Sequence, residues 1–293
     1  MTAFPTITLN TGAAMPAIGL GVWQLSEEEA ASTVRFALET ARYPMIDTAA
    51  GYENERGVGR GIAESGRAVD DVFVVTKLNN PDHGYDRALR AIDRSLDNLR
   101  LEAVDLFLIH WPLLDDARLV DTWRAFEQIK ADGKAKAIGV SNFEVRHLQL
   151  LQDAGLTTPA VNQIELHPGF PQLELRAVAA ELGIVVTSWS PLGGTSGSGW
   201  GPASKPNTVL TDPVIGAIAA THGASPAQVV IRWHLQNGLV VIPKSTSEAR
   251  ILENIDVFDF TLSDVELASI TALTSPGRIG ADPLLANFGA PTS

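Results

Sequence analysis

Four side chains of different chemistry close or follow short apolar runs in the first part of the chain. Asp47 ends Met45–Asp47, and Tyr52 follows it in the next loop. Lys77 ends the run 72–77, and His110 ends the run 104–110. Each alone has an ordinary explanation: a helix cap, a packed phenol, a solvated amine, a satisfied core histidine. Together they make a coherent set. A tyrosine with a pKa of about 10 exchanges protons poorly at neutral pH, and a neighbouring ammonium favours its phenolate. Lys77 is expected to lower the Tyr52 pKa in this way, with Asp47 as the counter-charge that keeps the amine protonated. A neutral His110 can donate a hydrogen bond to a carbonyl oxygen and orient it. The set reads as a general acid beside an oxygen-binding site. Hydride addition to a carbonyl needs both, without a metal or a nucleophile.

The elements that must hold these residues recur along the chain. Strand-like runs occupy Gly19–Val22, Met45–Asp47, Val72–Lys77, Val104–His110, Ala135–Ser141, Ala160–Glu165, Ile184–Trp189 and Leu239–Pro243. They are apolar on both faces, as parallel strands covered on both sides are. Helical stretches lie between them. Ser26 with Glu29, Ser225-Pro226 with Gln228, and Ser263 with Glu266 read as capping boxes, while Asp132-Gly133 and Gly183 read as stops. Strands alternating with helices in a chain of this length give a closed barrel or an open doubly wound sheet. The open sheet favours a glycine fingerprint after its first strand. Gly19-Leu-Gly21 is too short for one, and Gly57-Val-Gly59-Arg-Gly61 lies inside a helical pattern.

The expectation is therefore an α/β fold of the (β/α)8 TIM-barrel class, one domain over 1–293. An N-terminal β-hairpin (Thr6–Leu9 and Met15–Ile18) would plug its floor, and a C-terminal tail would lie on the substrate side. Chemistry in such barrels gathers at the carboxyl ends of the strands. Those ends are polar here in every later strand: Ser141-Asn142, then Gln163 and Glu165, then Trp189-Ser190, then Lys244-Ser245. A Gly/Ser-rich stretch, 193–201, follows the Trp189 strand and reads as a loop.

Composition narrows the function classes. The chain has 293 residues, 22 basic and 34 acidic, for a net charge of -12. That balance argues against nucleic acid as a partner. Without cysteine there is no disulfide, thiolate metal site or cysteine nucleophile. No signal-peptide pattern opens the chain and no apolar stretch approaches a membrane span, so a cytoplasmic protein is expected. No long apolar surface strip stands out, and a monomer is expected.

The stretch from Asp47 to Glu55 (DTAAGYENE) resembles the D-T-A-x-x-Y-x-N-E motif of the aldo-keto reductase family. Lys136–Phe143, ending IGVSNF, is similar to a second family motif. Ile242-Pro243-Lys244-Ser245 with Arg250, Glu253 and Asn254 resembles a third, and Leu108–Pro112 (LIHWP) is a further match. The motifs fall in the family's order across the chain, which resembles the bacterial diketogluconate-type reductases of that family.

The resemblance implies NADPH-dependent reduction of aldehydes or ketones. It makes Tyr52 the proton donor, tuned by Lys77 and Asp47, with His110 steering the substrate oxygen. It assigns Ser141, Asn142 and Gln163 to the nicotinamide carboxamide and Trp189 to stacking on the ring. Ser190 and Leu192 would join them along the cofactor, and Glu253 and Asn254 would bind adenine. It places the 2′-phosphate on Lys244, Ser245 and Arg250. This fits the anion preference of a helix N-terminus and the bidentate geometry of arginine. Trp23 and Trp111 would wall the substrate pocket, with Tyr85 and the tail 277–288 closing its remaining side. No metal is expected. Arg42-Tyr43-Pro44 stands where the family often has Gly-Tyr-Arg.

Three other readings compete. A Schiff-base lyase would need a neutral Lys77, which Asp47 opposes. A metal hydrolase on His110 and His167 lacks a third ligand. An NADPH-binding regulatory subunit with little turnover remains the main alternative.

Overall fold

The computed structural model describes residues 4–194 and 207–289. A hairpin comes first, β1 (Thr6–Thr8) pairing antiparallel with β2 (Ala14–Pro16). Then β3 (Leu20–Gly21), α1 (Glu27–Glu39), β4 (Met45–Asp47), α2 (Glu55–Glu64), β5 (Phe73–Leu78), α3 (Tyr85–Leu99), β6 (Val104–Ile109) and α4 (Asp116–Ala131) alternate. They continue as β7 (Ala135–Ser141), α5 (Val145–Asp153), β8 (Val161–Glu165), α6 (Leu173–Glu181) and β9 (Val185–Trp189). The chain ends with α7 (Pro213–His222), α8 (Pro226–Gln236), β10 (Val240–Val241), α9 (Glu248–Ile255) and α10 (Asp264–Thr271).

Strands β3 to β10 form an eight-stranded parallel sheet in chain order. Its two edges meet. Gly19 N donates to Val241 O (3.0 Å), Val241 N to Ala17 O (2.9 Å) and Gly21 N to Pro243 O (3.1 Å). The fold is the expected (β/α)8 barrel. The first and last strands are shorter than expected because the ladder is thin at this seam, where Pro243 has no N–H to extend it.

The two faces of the sheet divide the core. Ile46, Val74, Phe107, Ile138, Ile164 and Val186 pack outward under the helices. Met45, Val75, Leu106, Leu108, Ala137, Val161 and Val240 fill the interior together with Leu9 and Met15 of the hairpin. Asn10 Nδ2, donating to Pro159 O at 3.0 Å just before β8, fixes that plug at the floor.

Strand side chains alternate with period two. The interior rows Met45, Val75, Leu108 and Val161 therefore continue upward as Asp47, Lys77, His110 and Gln163. The barrel interior and the polar rim are one face of one sheet.

The three capping boxes form as expected. The glycines of 57–61 have a packing role. A Cβ at Gly57 or Gly59 would collide with the Glu27 or Leu99 carbonyl, and at Gly61 it would lie 2.6 Å from Ala31 O. They let α1 and α3 approach α2, and no phosphate loop is involved. Arg42 has φ 63°, the left-handed conformation that glycine adopts without steric cost.

Candidate active site

Lys77 Nζ is fully buried and lies 2.6 Å from Asp47 Oδ1, 2.8 Å from Thr48 O and 3.4 Å from Tyr52 Oη. The Tyr52 ring meets the His110 ring edge to face at 5.4 Å. All four residues are thus gathered at the carboxyl end of β4, β5 and β6.

The residues around Tyr52 in its motif hold it in place. Asn54 Nδ2 donates to Val22 O (2.9 Å) and Leu25 O (3.0 Å), while its Oδ1 accepts from Thr48 Oγ1 (2.9 Å). Glu55 Oε1 accepts from Thr76 Oγ1 at 2.7 Å. Both side chains are buried. The loop after β4 is thereby tied to the loop after β3 and to β5, and Tyr52 has little freedom to leave Lys77.

Electrostatics follow from burial and from the Lys77–Asp47 pair. Burial opposes the Lys77 ammonium, but Asp47 and Tyr52 outweigh it and hold its pKa above the ordinary lysine value. The Tyr52 pKa is raised, contrary to the expectation from sequence. Loss of solvent around a phenolate is the largest cause. Lys77 acts in the other direction, but Asp47 beside it offsets much of its charge. Tyr52 therefore rests as a neutral phenol. Burial, and then Lys77, push His110 well below the usual imidazole range, so it is neutral.

A cleft of about 500 Å³ opens above this group. Asp47, Tyr52 and His110 line it, with Lys77 beneath. Every residue expected along the cofactor reaches it: Ser141, Asn142, Gln163, Trp189, Ser190, Leu192, Lys244, Ser245, Arg250, Glu253 and Asn254. So do Trp23 and Trp111. Gln163 Nε2 donates to Asp47 Oδ2 (2.7 Å), Asn142 Nδ2 to His110 O (3.0 Å) and Trp189 Nε1 to Asn142 Oδ1 (2.8 Å). Ser141 Oγ donates to Gln163 O at 2.7 Å. Asn142 and Ser190 carry positive φ, 61° and 47°, which turns the chain sharply at these rims.

At the far end, Arg250 Nε donates to the buried Ser245 Oγ at 3.2 Å. Among the described residues neither Lys244 nor Arg250 forms an ion pair, although carboxylates outnumber bases in this chain. Two such cations, with a hydroxyl in the loop just before α9, suit a phosphate. A flat indole, an amide cluster and this anion site along one cleft fit a dinucleotide that carries an additional phosphate.

Tyr85 is a correction. It starts α3, is 40% exposed, and lines a separate hollow with His83, Arg87 and Arg118. The tail does reach the cleft through Ile279 and Gly280, and Phe288 packs edge to face on Trp111 at 5.1 Å. Of the Gly/Ser stretch, 195–201 lies outside the described residues. Gly194 lines the cleft, and Asn207 Nδ2 donates to Leu192 O (2.9 Å) and Gly194 O (2.7 Å). Gln24, Asn207 and Thr246 also line the cleft, and loop positions of this kind carry no pattern that sequence could flag.

The aldo/keto reductase family model matches residues 13–275, and the chain belongs to that family. It is 51% identical over 283 residues to the morphine 6-dehydrogenase of Pseudomonas putida, covering 95% of this chain and 94% of that one. It is 45% identical over 280 residues to the glyoxal reductase of Bacillus subtilis, covering 95% and 96%. A variant of Gox0644 solved in complex with NADPH superposes with a TM-score of 0.89 at 44% identity, covering 98% of this chain and all of that chain (100%). The protein is an oxidoreductase of the aldo-keto reductase type. Among the described residues no single helix is long and apolar enough to cross a membrane.

Proposed function

We propose that this protein reduces aldehydes or ketones to alcohols with NADPH, and that Tyr52 supplies the proton. The contact of Tyr52 Oη with Lys77 Nζ at 3.4 Å, backed by Asp47 at 2.6 Å, is the observation that carries this reading.

NADPH, when bound, supplies the hydride. Trp189 offers it a ring surface, and Ser141, Asn142 and Gln163 offer amide and hydroxyl partners beside that surface. Lys244, Ser245 and Arg250 hold the phosphate end, with Glu253 and Asn254 near the adenine. Ser190 and Leu192 line the stretch between.

The carbonyl oxygen lies between Tyr52 Oη and neutral His110, which orients it by hydrogen bonding. As the carbonyl carbon becomes tetrahedral, negative charge grows on that oxygen, and the Tyr52 O–H bond breaks as the proton passes to it. The phenolate left behind is stabilised by the Lys77 ammonium and regains a proton from solvent before the next cycle. The raised pKa of Tyr52 suits this direction, because the donor form is the resting form. The indoles of Trp23 and Trp111 make the substrate end apolar, which favours uncharged carbonyl compounds.

The test is a panel of carbonyl compounds followed by NADPH absorbance, with NADH run beside it. Turnover with NADPH that Tyr52→Phe abolishes supports the reading. NADPH binding without turnover on any carbonyl supports the regulatory-subunit alternative and refutes it.

A further inference from the structure

Glu165 ends β8, two residues beyond Gln163 on the interior face and in register with Trp189 of β9. It is 1% exposed, and no step of the proton relay uses it. A carboxylate buried so deeply requires hydrogen-bond compensation. Its partners are unusual in origin. Oε1 accepts from Ile279 N at 2.6 Å, and Oε2 accepts from Gly280 N at 2.8 Å. Consecutive backbone N–H groups of the C-terminal tail thus grip both oxygens of one carboxylate. His167 Nε2, 3.1 Å from Oε1, completes the set.

The same contact brings the tail against the cleft. A Cβ on Gly280 would lie 2.5 Å from Trp189 Cη2 and 2.7 Å from Glu165 Oε2. Position 280 must therefore be glycine for the tail to reach the carboxylate past the indole. A second tie lies one residue earlier, where Arg278 meets Glu144 at 2.9 Å and its guanidinium covers the Phe170 ring at 4.8 Å. Beyond it, Phe288 packs on Trp111, one of the expected substrate walls.

We propose that Glu165 is a positioning residue for substrate: its carboxylate latches the tail over the cleft and so builds the wall that holds the larger part of a carbonyl substrate. This rests on the carbonyl-reductase reading above. The latch acts on tail position and leaves the proton relay and the phosphate site in place. Its loss weakens binding of substrates large enough to reach the tail more than it slows the chemical step.

Glu165→Gln and Gly280→Ala test this by different routes. The first puts an amide N–H where a backbone N–H needs an acceptor; the second keeps the carboxylate but obstructs the approach. In hydrogen–deuterium exchange the amides of 279 and 280 should exchange at least about 100-fold faster in both variants, with the barrel strands unchanged. With NADPH saturating, KM for a bulky aromatic carbonyl should rise about 10-fold or more. For Glu165→Gln, KM for a small aldehyde, kcat, and the Kd for NADPH should each change less than about threefold; Gly280→Ala, whose methyl group also presses on Trp189, is read through exchange at 279 and 280 and through the ratio of bulky to small KM. The two substitutions combined should add little beyond either alone, since both release one contact. Unchanged protection at 279 and 280, or losses equal for small and bulky substrates and confined to kcat, would overturn the proposal. The exchange measurement needs no turnover. Failure of wild-type protein to reduce any carbonyl therefore refutes the reductase reading, while the exchange result separately decides whether Glu165 holds the tail.

Discussion

Gln163 Nε2 donates to Asp47 Oδ2 at 2.7 Å, across the barrel mouth from β8 to β4. With Lys77 Nζ on the other oxygen at 2.6 Å, both carboxylate oxygens of Asp47 are engaged. The carboxylate that balances the buried amine is thus also bonded to a residue of the expected nicotinamide cluster. One hydrogen bond thus joins the expected cofactor site to the proposed proton relay, and a change at either end of it should reach the other.

Tyr52→Phe removes only the hydroxyl. General acids contribute roughly 10²–10⁴-fold to such reactions. Reduction should fall by at least about 100-fold, while NADPH affinity, measured by quenching of tryptophan fluorescence, stays within about threefold. A variant retaining most of its activity would remove Tyr52 as the donor.

The Lys77–Asp47 pair couples stability to function. Both side chains are buried. Breaking one half of a buried pair leaves an uncompensated charge and costs about 3–5 kcal/mol. Asp47→Ala should therefore lower Tm clearly. Asp47→Asn combined with Lys77→Met should recover much of that loss without recovering activity, as thermal melts and steady-state rates on the same samples will reveal. Equal Tm for the single and double variants would mean that the pair is not the source of the loss.

Arg250→Ala bears on cofactor choice. A hydrogen bond to a charged group contributes about 1.5–3 kcal/mol, or roughly 10- to 150-fold in affinity. Kd for NADPH should rise by about that factor, and Kd for NADH should hardly move. Titrating both cofactors against both proteins settles the point, and equal losses would refute a phosphate role for Arg250.

Acid should destabilise the fold through its buried histidines. Burial lowers His147 to about 4 and His83 to about 3. Near pH 7 both are neutral, folded or unfolded, so their contribution to stability is complete. As pH falls below about 6.5 the unfolded chain takes up protons first, and each site then loses about 1.4 kcal/mol per pH unit until its folded pKa is reached. His147 Nδ1 also accepts from Glu144 N at 3.0 Å, a bond that protonation would break. His147→Gln keeps an acceptor that does not titrate. Its Tm should fall less steeply than wild type between about pH 7 and about pH 5; parallel curves would exclude His147 as a contributor.

Much of this was legible in the sequence because it is local. Strand periodicity, capping boxes and the residues that end each strand are written in short windows, and a parallel barrel brings all those ends to one rim. Asp47, Tyr52, Lys77 and His110 could be grouped from sequence for that reason alone. Departures arose where burial or distant segments enter. Burial raised the Tyr52 pKa that Lys77 was expected to lower, and Tyr85 faced a different hollow because it begins a helix outside the rim.

Which residue types stand at the strand ends was set by the sequence itself, and with it the reduction chemistry open to them. Tertiary structure decided the resting state of Tyr52, because desolvation depends on everything packed around the phenol and Lys77 cannot offset it alone. It also decided what Glu165 does. Its tail partners lie more than a hundred residues further on, and only the closed barrel brings that carboxylate and the tail backbone within hydrogen-bond range.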